Sequence, residues 1–140
     1  MRAVRQIETP LLFGMMRFAG DAGPEVVNSA VLVDGGQVQV TDKVQLAPWV
    51  ERSIPFLRQT DVRPGRRTLL DLTDGTRLLA LICYEGFFPL NSDIAADAVI
   101  VQAAETGFAE WQTKALRERH RLTRTLETGL TVLWVGDRES

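Results

Sequence analysis

A chain of 140 residues is long enough to bury one hydrophobic core but not two, so the sequence predicts a single domain over residues 1–140. Sixteen basic and eighteen acidic side chains leave a net charge of −2, which gives no general attraction to nucleic acid or to anionic membranes. One cysteine and one histidine exclude an internal disulfide framework and a zinc site rich in these residues, and no apolar run approaches the ~20 residues of a membrane-spanning helix. We therefore expect a soluble, cytoplasmic protein, unless the chain is part of a longer membrane-anchored one.

The first third of the sequence predicts β-strands. Residues 10–18 form a short apolar run typical of a buried strand. Residues 28–34 have an apolar, partly β-branched centre, and the D-G-G sequence at 34–36 is a strong turn signal. Because residues 37–40 then alternate between polar and apolar, this part predicts a hairpin.

The middle of the sequence predicts a loop followed by a second hairpin. Three prolines between residues 48 and 64 indicate loop, with one helical turn near residues 51–57. Two arms at 67–72 and 76–83 flank the D-G turn at 74–75. The second arm ends in L-L-A-L-I-C, which is continuously apolar and therefore predicts a central strand covered on both faces.

The last third predicts a strand–helix–strand unit. Residues 91–96 fit a short helix, 98–101 a buried strand, 108–128 one long helix and 130–135 a final strand. Gly129 is placed to end the long helix. Hairpins followed by strand–helix–strand predict a mixed α/β or α+β domain.

The long helix carries both apolar and charged residues. Its apolar residues recur at roughly helical spacing: Trp111, Ala115, Leu122 and Leu126. Its basic residues could bind phosphate or a partner: Lys114, Arg117, Arg119, Arg121 and Arg124. Interleaved glutamates make a solvated face with salt bridges the better interpretation. We expect His120, in the same charged run, to be exposed and unengaged.

Cys83 is the first candidate for chemistry because it follows a buried strand. A nucleophile at a sharp strand-to-helix turn exposes its side chain while the next backbone N–H points at the same space. A buried structural cysteine is the better interpretation on position alone, since free cysteine is among the most buried residue types. Lys43, Glu51 and Glu85 are likewise ordinary when each is considered alone.

Several sequence blocks together resemble nitrilase-type (carbon–nitrogen hydrolase) domains, especially the catalytic domain of bacterial apolipoprotein N-acyltransferases. I-C-Y-E-G-F-F-P at residues 82–89 matches that family's nucleophile motif. N-S-A-V-L-V-D at 28–34 and D-K-V-Q-L-A-P-W-V-E at 42–51 match two earlier blocks. Shorter matches follow in the family's order: Pro64-Gly65, Ala96-Asp97 and Glu127-Thr128-Gly129.

The resemblance implies a partial nitrilase-type α-β-β-α sandwich and a set of roles. Cys83 would be the thiol nucleophile. Lys43 would place its ammonium beside the developing oxyanion, together with the backbone N–H of Tyr84. Glu51 would orient Lys43, and Glu85 matches the glutamate that follows the nucleophile. No metal or organic cofactor is implied, and the partner would be a small-molecule or lipid acyl donor.

This sequence also departs from the family pattern. The family's general base is a glutamate in an early P-E-T-type segment, and E-T-P at residues 8–10 is more typical of the end of the intervening helix. We therefore expect the first βαβ portion and the last strands to be missing. Residues 102–109 lack the family's N-x-S-N-D-x-W-F, which leaves the choice of substrate open, and Gln45 replaces the usual histidine.

Two functions follow from this combination. One is a thiol acyl-transfer or carbon–nitrogen hydrolase domain, cut from a longer protein or completed by another chain. The other is a catalytically incomplete module with a structural or interaction role, as in nitrilase-like conjugal transfer proteins. In either case uncovered apolar surface predicts a homo-oligomer or a completing chain. We expect Cys83 within a few ångströms of Lys43, with Glu51 and Glu85 nearby.

Overall fold

The structure is a computed structural model that describes residues 9–18, 26–48, 51, 62–104 and 110–136, the segment 110–113 by its backbone alone. The described part of the chain forms seven strands, one 3₁₀ turn and one α-helix. In order these are β1 (Leu11–Phe18), β2 (Val26–Asp34), β3 (Gln37–Asp42), β4 (Leu70–Asp71), β5 (Arg77–Ile82), the Cys83 turn (Cys83–Phe87), β6 (Ala98–Ala103), α1 (Glu110–Thr128) and β7 (Thr131–Gly136).

The first sheet is antiparallel, with strand order β1-β2-β3. The β2–β3 connection is the predicted hairpin, and Asp34 pairs with Gln37 across it. Gly35 and Gly36 have φ of 53° and 77°, which a tight hairpin turn needs and which glycine adopts without steric cost. The first predicted hairpin and a strand before it are therefore confirmed. The predicted burial of that strand is wrong, because β1 is an edge strand with most of its residues exposed.

The second sheet has the order β4-β5-β6-β7, antiparallel between β4 and β5 and parallel thereafter. The parallel pair β6 and β7 is joined through α1, since a parallel connection needs a crossover. Ile82, Gln102 and Val135 are neighbours across the three parallel strands. The carboxyl ends of these strands thus share one edge of the sheet, and Cys83 follows directly there.

The two sheets pack face to face, and the second sheet has a further apolar cluster on its other face. The cluster between the sheets contains Ala30, Leu32, Leu70, Leu78, Ala80 and Ile82. The cluster on the other face contains Leu79, Leu81, Ala96, Val99, Val101 and Val132. Because β5 contributes to both clusters, the prediction of a central strand covered on both faces is confirmed.

The short helix predicted at 91–96 is wrong. Residues 91–96 contain one turn at 92–93 and no helix, and Asn91, Ser92 and Asp93 bond to each other locally. Such side chains compete with helix formation by offering the backbone other hydrogen bonds. The 3₁₀ turn comes earlier, at Cys83–Phe87. Of the helical turn predicted at 51–57, only Glu51 lies within the described residues.

The long helix is confirmed, but its exposure pattern differs from its sequence pattern. Gly129, with φ of 70°, ends it and donates its N–H to the carbonyl of Thr125 at 2.8 Å. Leu126 on this helix is 77% exposed, whereas Arg124 is only 4% exposed. The prediction of an exposed His120 is wrong, because its ring is half-buried against Phe87, 4.6 Å between centroids. Within the described residues, no helix is both long and apolar enough to cross a membrane.

Candidate active site

Cys83 occupies a strained backbone position at the end of β5. Its φ is 53°, and it is the only non-glycine residue with positive φ in the described part of the chain. This region is unfavourable for residues with a side chain and clusters at functional sites. Cys83 is half-buried and packs against the cluster between the sheets. The sequence therefore places its only thiol at a sharp turn after a buried strand.

Lys43 follows β3 and is the most fully buried cation among the described residues, with 1% of its surface exposed. Its Nζ lies 2.6 Å from Oε2 of Glu51. Burial of an ammonium is unfavourable unless a carboxylate and hydrogen bonds compensate it. The pair predicted from the resemblance is thus in direct contact.

Glu51 is held by donors other than Lys43 as well. Its Oε2 accepts the backbone N–H of Ala47 at 2.7 Å, and its Oε1 accepts the Asn28 side chain at 3.2 Å. Burial alone would raise the pKa of Glu51, but the hydrogen bonds from Lys43, Ala47 and Asn28 outweigh it and lower that pKa below its ordinary value. Glu51 is therefore ionised and can fix the position of the Lys43 ammonium.

Glu85 connects the Cys83 turn to the segment that follows Lys43. Its Oε1 accepts the backbone N–H groups of Val44 and Gln45 at 2.8 and 3.1 Å. Its Oε2 accepts the N–H of Ile82, the residue before the cysteine, at 2.9 Å. Since Glu85 is 2% exposed, its carboxyl group depends on these protein donors for its hydrogen bonds.

Arg67 completes the surroundings of Glu85. Its Nη2 pairs with Oε1 of Glu85, so the buried carboxylate has a cationic partner. Sequence reasoning missed Arg67, because nothing in the local sequence marks one arginine among many as the partner of a residue eighteen positions away. Asn28 was also missed, although it opens the block at 28–34.

Asp42 anchors the end of β3, directly before the buried lysine. Its carboxylate oxygens both accept Arg17 Nη2 at 2.8 Å, and Oδ1 accepts the Ser29 hydroxyl at 2.7 Å. Burial would raise the pKa of Asp42, but these hydrogen bonds from Arg17 and Ser29 lead to a lowered pKa. A side chain at Gly65 would overlap Asp42, so glycine is required for this close approach.

The structure brings some of the predicted site residues together. Lys43 meets Glu51, and Glu85 bonds both to the residues after Lys43 and to the residue before Cys83. The Tyr84 ring packs edge-on against Phe88, 5.0 Å between centroids. The approach of Cys83 to Lys43 and the role of the Tyr84 N–H stay predictions. No group of three histidine, cysteine or acidic side chains that could hold a metal is found among the described residues.

Comparisons with known proteins agree with this architecture. A family model described as carbon-nitrogen hydrolase matches residues 1–123. Among solved structures, an amidase from Nesterenkonia sp. is 25% identical with a TM-score of 0.70 over 95% of this chain. A double mutant of the amidase from Nesterenkonia sp. AN1, in complex with acrylamide, is 22% identical with a TM-score of 0.65 over 95% of this chain.

The chain covers 48% of each of these two amidase chains, so it spans about half of their length. A search of curated proteins found no match. The predicted fold class, a mixed α/β domain of the nitrilase kind that represents part of the fold, is confirmed.

Proposed function

This chain belongs to the carbon–nitrogen hydrolase family, and we propose that it carries a thiol-dependent site that cleaves or transfers acyl groups through Cys83. One observation carries the proposal: Glu85 accepts backbone N–H groups on both sides, from Ile82 beside the cysteine and from Val44 beside the lysine. That shared carboxylate holds the two proposed catalytic segments against each other. The amidase activity named for the two similar structures supports the same class of reaction.

The proposed first step forms a bond between the Cys83 sulfur and the carbonyl carbon of an amide. The carbonyl oxygen becomes an oxyanion, which the Lys43 ammonium and the Tyr84 N–H stabilise. The carbon–nitrogen bond then breaks, the nitrogen takes up a proton and leaves as an amine or ammonia, and the acyl group stays on sulfur as a thioester. Water releases a carboxylic acid, whereas an amine nucleophile gives a new amide.

The thiol proton requires a general base, and this step limits the proposed activity. The family resemblance assigns it to an early glutamate for which this sequence has no matching segment. We propose that a completing segment or a second chain supplies the base. The 140-residue chain alone should then form the thioester readily with activated esters but turn over amides slowly.

The proposed type of reaction follows from the nucleophile motif. Residues 82–89 match the acyltransferase branch of the family, so we propose N-acyl transfer from a small-molecule or lipid acyl donor as the physiological reaction. Glu85 lies within that motif. We propose a positioning role for it, because the bonds it makes among the described residues go to protein donors.

A second candidate is a catalytically incomplete module that binds a partner, for example in conjugal transfer. The observation that favours it is the exposed outer face of the first sheet. That face presents apolar residues of β1 and β3, all at least 37% exposed: Leu11, Phe13, Met15, Val38 and Val40. Contiguous apolar surface usually marks an interaction site. We propose that a second copy or a completing chain covers this face.

Trapping the thioester separates the two candidates. The purified chain is incubated with p-nitrophenyl acetate and its intact mass is followed, with Cys83→Ser as the matched control. The enzyme proposal predicts one acetyl group on the wild-type chain, released by hydroxylamine, and none on the control. Acetylation at the same rate in both would reject the thiol nucleophile and leave the interaction module.

A further inference from the structure

The segment 63–68, which leads into β4, is bonded along its main chain to the end of β3. Gly65 donates its N–H to the carbonyl of Lys43 at 2.8 Å, and Asp42 donates its N–H to the carbonyl of Arg66 at 2.9 Å. The N–H of Arg66 in turn reaches Oδ2 of Asp42 at 3.2 Å. The main chain of the 63–68 segment is therefore fixed relative to the buried lysine.

Arg67 is the side chain that connects the 63–68 segment to the Cys83 turn. Its Nη2 pairs with Oε1 of Glu85, the same oxygen that accepts the N–H groups of Val44 and Gln45. The Nε of Arg67 has no acceptor among the described residues, so Glu85 is the partner that the structure shows for this guanidinium. One ion pair thus joins the 63–68 segment, the residues after β3 and the turn that carries the thiol.

The two members of this pair differ in their access to water. The side chain of Arg67 is 30% exposed, whereas that of Glu85 is 1% exposed. A carboxylate this far from water depends on a cation and on hydrogen bonds within the protein. Arg66, the residue before Arg67, is exposed and bonds to Asp42 through its main chain. Two successive arginines therefore differ in which part of the residue contacts the site.

We propose that Arg67 is a positioning residue for acyl transfer at Cys83, an inference that rests on the function proposed above. The main chain beside Arg67 is bonded to Lys43 and its guanidinium to Glu85, so Arg67 keeps the Cys83 turn at a fixed place relative to the Lys43 ammonium. That ammonium stabilises the oxyanion only within hydrogen-bond distance, and a misplacement of about 1 Å can slow catalysis about 100-fold. Arg67 acts through Glu85 and touches no reacting atom.

Two reactions of the same thiol distinguish positioning from a purely stabilising contact. Loss of a stabilising contact lowers the free energy of unfolding, but molecules that stay folded react at the wild-type rate. Acylation of Cys83 by p-nitrophenyl acetate forms a sulfur–acyl bond, releases p-nitrophenolate and passes through an oxyanion. Alkylation by iodoacetamide forms no oxyanion. The ratio of the two rates therefore reports the position of Cys83 relative to Lys43.

Three variants measured by intact mass test the proposal. Arg67→Met should slow acylation about tenfold and alkylation less than about twofold. Arg67→Lys keeps the charge and one donor but loses the planar fork of donors, so it should slow acylation only about threefold. Arg66→Met is the matched control and should change neither rate, because its side chain is exposed. Urea unfolding establishes conditions in which each variant is folded, and all rates are measured there.

The outcomes separate this proposal from the one on which it rests. Wild-type acylation in folded Arg67→Met, or equal slowing of acylation and alkylation, would overturn the positioning role. If Arg67→Met does not fold, Arg67→Lys and Arg66→Lys decide: slower acylation with unchanged alkylation in Arg67→Lys alone supports the role, and wild-type rates in both overturn it. A wild-type chain acylated no faster than Cys83→Ser would instead reject the proposed function itself.

Discussion

Buried polar groups on the two sides of the Cys83 turn differ in how far they are hydrogen-bonded. On the side of Lys43, the oxygens of Glu85 and Glu51 accept hydrogen bonds from main-chain and side-chain donors. On the side of α1, buried donors of Arg124 and Trp134 have no acceptor among the described residues. The two carboxylates on the Lys43 side are thus hydrogen-bonded, although Gln45 Oε1 and Arg67 Nε beside them have no partner among the described residues. On the α1 side, the unpaired atoms include two nitrogens of a buried arginine.

This difference distinguishes side chains that are held in one position from side chains that can still bind a ligand. A satisfied buried network holds its members in one arrangement, and removing one member leaves the others unpaired. Unsatisfied donors instead keep part of their hydrogen-bonding capacity for a ligand. The Lys43 side is therefore expected to respond strongly to substitution, and the α1 side weakly.

The largest effect is expected from Glu85→Ala. This change leaves three backbone donors and the Arg67 guanidinium without their buried partner, which should cost about 3–5 kcal/mol of unfolding free energy. The measurement is urea unfolding. Glu118→Ala is the control, because its ion pair with Arg121 is exposed and should contribute no more than about 1 kcal/mol. Equal losses in the two variants would contradict the comparison.

The second-largest loss of unfolding free energy is expected from Gly86→Ala, because this change disturbs the contact between the two sides of the Cys83 turn. A Cβ at Gly86 would lie 2.8 Å from Val101 and 2.9 Å from the Trp134 ring, so a packed core side chain must move. Overpacking of this kind costs about 1–3 kcal/mol. Gly14→Ala is the control, since its nearest neighbour would be Gln102 at an ordinary 3.8 Å. Similar unfolding free energies for both variants would show that the turn is loosely packed.

Acid should lower the free energy of unfolding, because Glu51 beside Lys43 becomes protonated. Because its pKa is lowered on folding from an ordinary 4.5, Glu51 contributes stability that is fully present above about pH 4.5. That contribution is lost as the pH falls through the lowered value in the folded protein. Urea midpoints measured from pH 7 to pH 3 should therefore fall less steeply in Glu51→Gln than in the wild type. Parallel pH profiles would contradict the assigned partners of Glu51.

Arg124→Met should have the smallest effect. Arg124 is buried with only one paired nitrogen, and apolar replacement of a poorly compensated buried charge is often neutral or stabilising. We expect the unfolding free energy to stay within about 1 kcal/mol of the wild type, as in the exposed control Arg119→Met. A loss above about 3 kcal/mol would mean that the remaining nitrogens of Arg124 have acceptors in the folded protein.

Local patterns in the sequence were sufficient for most of the fold. The D-G turns at 34–36 and 74–75 and the apolar runs beside them predicted both hairpins, and Gly129 predicted the end of α1. These features depend on neighbouring residues, which the sequence displays directly. The failure at 91–96 has a local cause. The Asn91 side chain accepts the backbone N–H of Asp93, and the Ser92 hydroxyl bonds to the Asp93 carboxylate, in place of a helix.

The contacts of the candidate active site were harder to predict from local sequence patterns. The bond from Val44 to Glu85 joins residues 41 positions apart, and no periodicity encodes such a contact. The Lys43–Glu51 pair was predicted only because the block at 42–51, which contains both residues, resembled a family. The burial of Arg124 and the exposure of Leu126 could not be anticipated, since both depend on how α1 packs against β7.

The central claim is that Lys43 stabilises an oxyanion formed at Cys83, and two rates measured on the same variants test it directly. Acylation of Cys83 by p-nitrophenyl acetate develops an oxyanion, whereas alkylation by iodoacetamide does not. Lys43→Met should slow acylation about 100-fold and alkylation far less, since removal of one oxyanion donor has an effect of that order. Lys114→Met, the only other lysine, is the control and should change neither rate. Equal slowing of acylation and alkylation in Lys43→Met, or no slowing of either, would contradict the claim.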